Sequence, residues 1–303
     1  MHDFSDRDII SVRDFSRKDI ECVLDTAEGL KSKPEPELLN GKVLGTLFFE
    51  PSTRTRLSFE TAMQRLGGRV VGFSDASTTS TTKGETLKDT IRIVGQYADA
   101  LVIRHPLDGA ARAAAEATSK PVINAGDGAN QHPTQSLLDL FTIRETQGTL
   151  ENLKIAFCGD LKYGRTVHSL IEALTHFNPE IILISPPELA LPKHYFDELD
   201  AHGIQHRIMQ TLEEAIPVCD ILYMTRIQKE RFKDPFEYQK LAQTYELNRA
   251  KLTGAKPSMR VLHPLPRVKE INTEVDDTRH ASYFEQAENG LYVRQALLKL
   301  ILS

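Results

Sequence analysis

Four consecutive apolar residues, Ile181-Ile182-Leu183-Ile184, constrain this chain more than any other feature. A strand with one wet face alternates apolar and polar residues. A run without alternation belongs to a strand covered on both faces, as in parallel sheets flanked by helices. Similar short runs recur along the chain with amphipathic stretches between them, so the reading is α/β. Strand candidates in the first half are 43–49, 69–73, 100–103 and 121–124, with helical patterns starting after Ser16, near Thr53, near Glu85 and near Gly109. The stretch 53–66 shows why: Leu57, Thr61, Met63 and Leu66 are broadly helix-spaced, and Gly67-Gly68 stops the run. A second series begins after Gly148, with strands at 154–158, 180–185, 220–224 and 259–262 and a helix at 165–174. A helix over 135–146 bridges the two series, and 287–302 reads as a closing helix.

At 303 residues the chain is about twice an ordinary domain, which agrees with two such series. Its 40% hydrophobic and 26% charged residues are ordinary for a globular protein and exclude a disordered or fibrous chain. No apolar run approaches the roughly 18 residues that span a bilayer. The start, MHDFSDRDII, carries Asp3, Asp6 and Asp8 and no apolar core, unlike a secretory signal. Cys22, Cys158 and Cys219 are far apart, so neither a disulfide framework nor a structural zinc site is expected. A soluble, cytoplasmic protein is the expectation. With 42 acids against 37 Lys and Arg the net charge is −5, so the chain lacks a nucleic-acid binder's basic footprint. Any anion site must be built locally from a few placed cations, and neither nucleic acid nor membrane is expected as a partner.

Four motifs could build one. Phe48-Phe49-Glu50-Pro51-Ser52-Thr53-Arg54-Thr55-Arg56 runs from a strand into a helix whose cap is Ser52 or Thr53. A helix start offers free N–H groups and partial positive charge to a phosphate, and the hydroxyls and Arg54 add donors. A capped helix with surface arginines has the same outline, but the density of donors in five residues favours the anion site. His132-Pro133-Thr134-Gln135 heads the bridging helix, with His132 and Gln135 on one face; a capping turn with Pro133 in the first helical turn is the plainer alternative. Gly159-Asp160-Leu161-Lys162-Tyr163-Gly164-Arg165-Thr166 is one residue from a phosphate-binding loop, with Arg165 where lysine belongs. Without that lysine, Arg165 reads better as a carboxylate or phosphate clamp at a helix start than as part of a nucleotide-hydrolysing site. The last pair is Thr225-Arg226-Ile227-Gln228, beyond a strand's carboxyl end, and His263-Pro264-Leu265-Pro266-Arg267. The two prolines of the latter stiff turn would fix backbone carbonyls as acceptors.

Taken together, Ser52-Thr53-Arg54-Thr55, His132-Pro133-Thr134-Gln135, Arg226-Ile227-Gln228 and His263-Pro264-Leu265-Pro266-Arg267 resemble the aspartate/ornithine carbamoyltransferase family, on its aspartate branch. The resemblance runs from Phe15 to the last helix. The ornithine branch typically shows His-Pro-Cys-Gln, His-Cys-Leu-Pro and a Ser-Met-Gly loop, and this chain has none of them. The resemblance implies two doubly wound parallel-sheet domains joined by a bridging helix, with the C-terminal helix returning to the first. It puts the carbamoyl phosphate domain at 1–134 plus 286–303 and the aspartate domain at 135–285. It implies transfer of a carbamoyl group from carbamoyl phosphate to the amine of L-aspartate, an early step of pyrimidine biosynthesis, without metal or organic cofactor. It also implies a homotrimer with shared active sites, with or without separate regulatory chains.

By the same resemblance Ser52, Thr53, Arg54 and Thr55 hold the phosphate, and Arg104 touches phosphate and carbonyl. His132 bonds the carbonyl, while Gln135 and the carbonyls of Pro264 and Leu265 take the carbamoyl NH2. Arg165, Arg226 and Gln228 bind the aspartate carboxylates. The loop 77–86 departs from the pattern by holding a single lysine: Lys83 matches the one that reaches in from a neighbouring subunit, and Ser80 a serine of the same loop. Chemically, two dianionic substrates side by side account for five candidate cations, Arg54, Lys83, Arg104, Arg165 and Arg226, on an acidic chain. Thr55, Arg104 and His132 can meet the oxygen that gains charge in a tetrahedral intermediate, and no side chain stands out as a general base. Two rivals are a carbamoyltransferase for another amino acid and a non-catalytic phosphate- or nucleotide-binding protein built on Gly159–Thr166.

Overall fold

A computed structural model describes residues 4–227 and 245–303. The chain divides into two compact units, Met1–Leu138 with Glu288–Ser303, and Asp139–Ala287.

In the first unit, helix α1 (Arg17–Ser32) opens on a capping box. The Ser16 hydroxyl accepts from the Asp19 amide at 3.2 Å and the Asp19 carboxylate accepts from the Ser16 amide at 2.9 Å, satisfying two amides the first turn cannot pair. Then β1 (Val43–Phe48), α2 (Thr53–Arg65), β2 (Arg69–Phe73), α3 (Leu87–Val94), β3 (Ala100–His105), α4 (Ala110–Ala115) and β4 (Val122–Asp127) alternate. The strands form one parallel sheet in the order β2-β1-β3-β4. β3 runs two residues beyond its apolar core, because Arg104 still pairs with Phe48 of β1 and its carbonyl accepts from the Phe49 amide at 2.9 Å. A strand end that looked like polar loop is therefore held in the sheet.

Helix α5 (Pro133–Gln147) starts in this unit and continues into the second. There β5 (Lys154–Cys158), α6 (Arg165–Leu174), β6 (Glu180–Ile184), α7 (Lys193–Ala201), β7 (Gln205–Ile208), α8 (Leu212–Ala215), β8 (Ile221–Met224) and β9 (Arg260–Leu262) precede α9 (Tyr283–Leu302). The parallel order is β7-β6-β5-β8-β9. On one face of this sheet Ala156, Cys158, Ile182, Ile184, Leu222 and Met224 join a single apolar cluster. The alternate residues Ile155, Phe157, Ile181 and Leu183 are buried too, so the unbroken run in β6 is a strand covered on both faces. α9 begins four residues before its apolar stretch does, and from Glu288 onward it belongs to the first unit. None of the described helices is long and apolar enough to cross a membrane.

Candidate functional site

Parallel strands put all their carboxyl ends on one edge, so the loops that leave them gather there. In the first unit that edge carries the chain after Phe48, the end of β3 at Arg104-His105, and the chain after Asp127. Ser52 takes the cap position of α2 with φ −156 and ψ 100, yet its hydroxyl makes no capping bond. Ser52 thus stands at the cap, as the sequence suggests, but neither it nor Thr53 closes the helix start with its side chain, against the plainer alternative of an ordinary capped helix. Among the described residues the side chains of Ser52, Thr53, Arg54 and Thr55 make no hydrogen bond, although Thr55 is only 7% exposed. First-turn amides, three hydroxyls and a guanidinium thus remain available to an anion at one helix start.

Arg54 feels the charge of Arg104. Burial first, and then the Arg104 cation, pull the Arg54 guanidinium below its ordinary value. Two like charges held together mark a place where a negative group would relieve both. Arg104 is itself positioned: it donates to Glu50 Oε1 at 3.1 Å and to the Ala125 carbonyl at 3.2 Å, and its Nε is buried without a protein partner among the described residues. Glu50 lies inside the first motif, where an acid is no sign of an anion site; its role shows only through the bond to Arg104.

His132, Thr134 and Gln135 are all buried at the start of α5. The His132 carbonyl accepts from the Gln135 and Ser136 amides at 3.0 and 3.3 Å, so Pro133 occupies the first helical position, where its missing N–H is not needed. The turn before it is braced by Asp127, which accepts from Asn124 Nδ2 at 2.8 Å, Gly109 N at 2.9 Å, Asn130 Nδ2 at 3.1 Å and Gln131 N at 3.2 Å. Ser80 and Lys83 form one exposed helical turn, and no hydrogen bond or ion pair ties either side chain to another candidate residue among the described ones.

In the second unit the matching edge holds the ends of β5, β8 and β9. Gly159 has φ +124, and a Cβ there would lie 2.4 Å from the Thr225 carbonyl oxygen, so only glycine lets the two strand ends close. Thr225 fixes that junction, donating from N and Oγ1 to the Cys158 carbonyl at 2.8 and 3.2 Å. Asp160 Oδ1 accepts from the Lys162 and Tyr163 amides at 3.1 and 3.0 Å, and His168 Nε2 bonds the Leu161 carbonyl at 2.8 Å. These bonds shape the loop that delivers Arg165 as the first residue of α6. Burial pulls the His168 imidazole below its ordinary value, which favours the neutral ring as donor to that carbonyl. Arg226 follows Thr225 directly and is half-buried; Gln228 lies outside the described residues.

The turn after β9 holds Pro264 and Leu265, the latter at φ +53 before a cis Leu265–Pro266 peptide. Its bracing is invisible to motif reading. His263 N donates to Gln286 Oε1 at 2.7 Å, Gln286 Nε2 to Asp139 Oδ1 at 2.6 Å, and the Tyr223 hydroxyl to Asp139 Oδ2 at 2.8 Å. Burial, together with the Asp139 charge, pushes the Tyr223 phenol well up, so it stays a donor. Arg267 is committed elsewhere, to the Asp276 carboxylate and to the Tyr283 hydroxyl at 3.1 Å. Among the described residues the first unit carries the phosphate-type donors, and the second carries Arg165, Arg226 and the turn with Pro264 and Leu265.

Comparison with known proteins agrees with that division. Residues 7–145 match the aspartate/ornithine carbamoyltransferase carbamoyl-P binding domain, and residues 151–301 match the Asp/Orn binding domain of the same family. The chain is 58% identical over 295 residues to the aspartate carbamoyltransferase catalytic subunit of Chromobacterium violaceum, covering 97% of each. Among solved structures it superposes on the catalytic subunit of M. jannaschii aspartate transcarbamoylase with TM-score 0.92 and 51% identity, over 97% of both chains. The Trypanosoma cruzi aspartate transcarbamoylase bound to N-(phosphonacetyl)-L-aspartic acid gives TM-score 0.95 at 38% identity, over 100% of this chain and 98% of that one. The same parasite enzyme with carbamoyl phosphate and aspartate gives 0.93 at 39%, over 99% and 98%.

Proposed function

The chain belongs to the aspartate/ornithine carbamoyltransferase family, and from that premise we infer its reaction: it transfers the carbamoyl group of carbamoyl phosphate to the amine of L-aspartate, giving N-carbamoyl-L-aspartate and phosphate. The observation that carries this reading is the open helix start at Ser52–Thr55 beside the opposed Arg54 and Arg104. The aspartate nitrogen attacks the carbamoyl carbon and forms the new C–N bond. The carbonyl oxygen takes up charge, the bond from the carbamoyl carbon to the bridging oxygen breaks, and phosphate leaves with that oxygen and electron pair and accepts the proton the amine gives up. Ser52, Thr53, Arg54 and Thr55 hold the phosphate where its charge grows, and Thr55, Arg104 and His132 receive the oxygen of the intermediate. Preset donors of this kind need no reorganisation during the reaction. Gln135 and the Pro264 and Leu265 carbonyls take the carbamoyl NH2. Arg165, Arg226 and Gln228 take the two aspartate carboxylates, Arg with the planar fork that suits them.

The working form in this reading is a cytoplasmic homotrimer in pyrimidine biosynthesis, with Ser80 and Lys83 serving a neighbouring subunit's site. Their exposed turn, which makes no hydrogen bond or ion pair to another candidate residue among the described ones, supports that assignment. Calorimetry with N-(phosphonacetyl)-L-aspartate, which joins the two substrates' features in one molecule, tests the site. One equivalent bound per chain, lost in Arg54→Ala, is expected. No binding to the folded protein would overturn the assignment.

A further inference from the structure

The carbamoyl NH2 needs acceptors at fixed positions, and backbone carbonyls supply them only if the turn that carries them has one conformation. The turn Pro264-Leu265 follows the three-residue strand β9 and includes a leucine at φ +53. That is the left-handed region, which a residue with a branched side chain keeps only where its surroundings over-determine it. The surroundings here converge on one ring. His263 is 2% exposed, and its Nδ1 lies 2.8 Å from the Leu265 amide nitrogen. An amide can only donate, so Nδ1 must be the bare, accepting nitrogen and the ring proton must sit on Nε2. Nε2 lies 2.8 Å from Glu270 Oε1, an acceptor in the right place for that proton. The other oxygen of Glu270 accepts from the Val268 and Lys269 amides at 3.1 and 3.0 Å, which fixes the carboxylate and returns the chain to its start.

We propose that His263 is a positioning residue for the reaction, acting through its Nδ1 on the Leu265 amide, with Glu270 present to select the tautomer that leaves Nδ1 bare. This rests on the reading in which the Pro264 and Leu265 carbonyls take the carbamoyl NH2. Pro264 fixes its own φ and Pro266 restricts the residue before it, but neither demands the left-handed φ that Leu265 adopts. The imidazole does so through a bond that closes a ring of three residues, much as an Asx turn does. The side chain touches no substrate. It decides where two acceptors point, and a neutral ring of the opposite tautomer would set an N–H against the Leu265 N–H.

Asparagine and glutamine separate this role from mere packing, because the asparagine amide oxygen can stand where Nδ1 does and the glutamine amide where Nε2 does. His263→Asn keeps the acceptor for Leu265 and loses the Glu270 bond; His263→Gln does the reverse. The expected result is a kcat/KM for carbamoyl phosphate at least about tenfold higher in His263→Asn than in His263→Gln, the size of effect one lost buried hydrogen bond can produce. Equal losses in two folded variants, or the reverse order, would overturn the proposal. A measurement on the unaltered protein stands beside the variants. Proton–nitrogen correlation spectra of histidine-labelled enzyme are expected to show His263 as the Nε2–H tautomer, and an Nδ1–H signal contradicts the proposal even if both variants fail to fold. Carbamoyl-aspartate formation by the wild type is measured first: its absence removes the underlying reading, whereas its presence with the wrong tautomer removes only this inference.

Discussion

Burial, and after it the Arg104 cation, make the Arg54 charge costly, and a negative group at the start of α2 would relieve that cost. The Arg54→Ala variant is therefore expected to fold with an unchanged far-UV spectrum and to lose about 10²–10³-fold in kcat, the range for removing one preset charge-stabilising donor. A near-normal rate would remove the phosphate role from Ser52–Thr55. At this scale the sequence exposed the donors and hid the acceptors. Ser52, Arg54 and Arg226 advertise themselves by type and by place at a helix or strand end. Glu50, Asp139 and Gln286 do not, because an acid or amide that braces a site gains its meaning from a partner far along the chain. The Asp139–Gln286 bond closes 147 residues.

At the scale of elements, burial on both faces made β6 readable, whereas β7 left almost no trace. Gln205-His206-Arg207-Ile208 is an edge strand with Ile208 64% exposed, so no apolar pattern was required of it. The same contrast sets a stability prediction. Ile182→Ala in β6 should cost about 2–5 kcal/mol by urea unfolding and Ile208→Ala less than about 0.5. Similar losses at the two sites would mean that β6 is not the covered strand described here. Gly159→Ala tests the junction of β5 and β8. Its Cβ would strike the Thr225 carbonyl at a backbone angle that alanine avoids, so the strand ends must part. The expected outcome is a raised KM for aspartate with a smaller change for carbamoyl phosphate, since Arg165 and Arg226 leave from those two ends. Equal changes in both constants would separate the junction from the aspartate cations.

For the whole molecule, acid stability and subunit sharing are the accessible properties. Burial raises the Glu270 carboxyl, but the His263 side chain, by its hydrogen bond and its charge, and the backbone amides outweigh it and hold the group below its ordinary 4.5. Because the folded value lies under the unfolded one, the stabilisation is present above about pH 4.5 and is lost as pH falls through the folded value. Between about pH 6 and 3 the urea midpoint of the wild type should therefore fall more steeply than that of Glu270→Gln, which starts lower; parallel slopes would sink this account of Glu270. If Lys83 serves a neighbouring subunit, mixing inactive Lys83→Ala and Arg54→Ala chains should regenerate some intact sites. No recovery after confirmed subunit exchange would argue for sites built within one chain.

The most direct test follows phosphate release from carbamoyl phosphate, with L-aspartate and L-ornithine in parallel. Release with aspartate alone, matched mole for mole by carbamoyl-aspartate, is the predicted result. Turnover with ornithine instead would keep the phosphate site and contradict the acceptor assignment of Arg165 and Arg226. Silence with both amines from a folded protein would contradict the account as a whole.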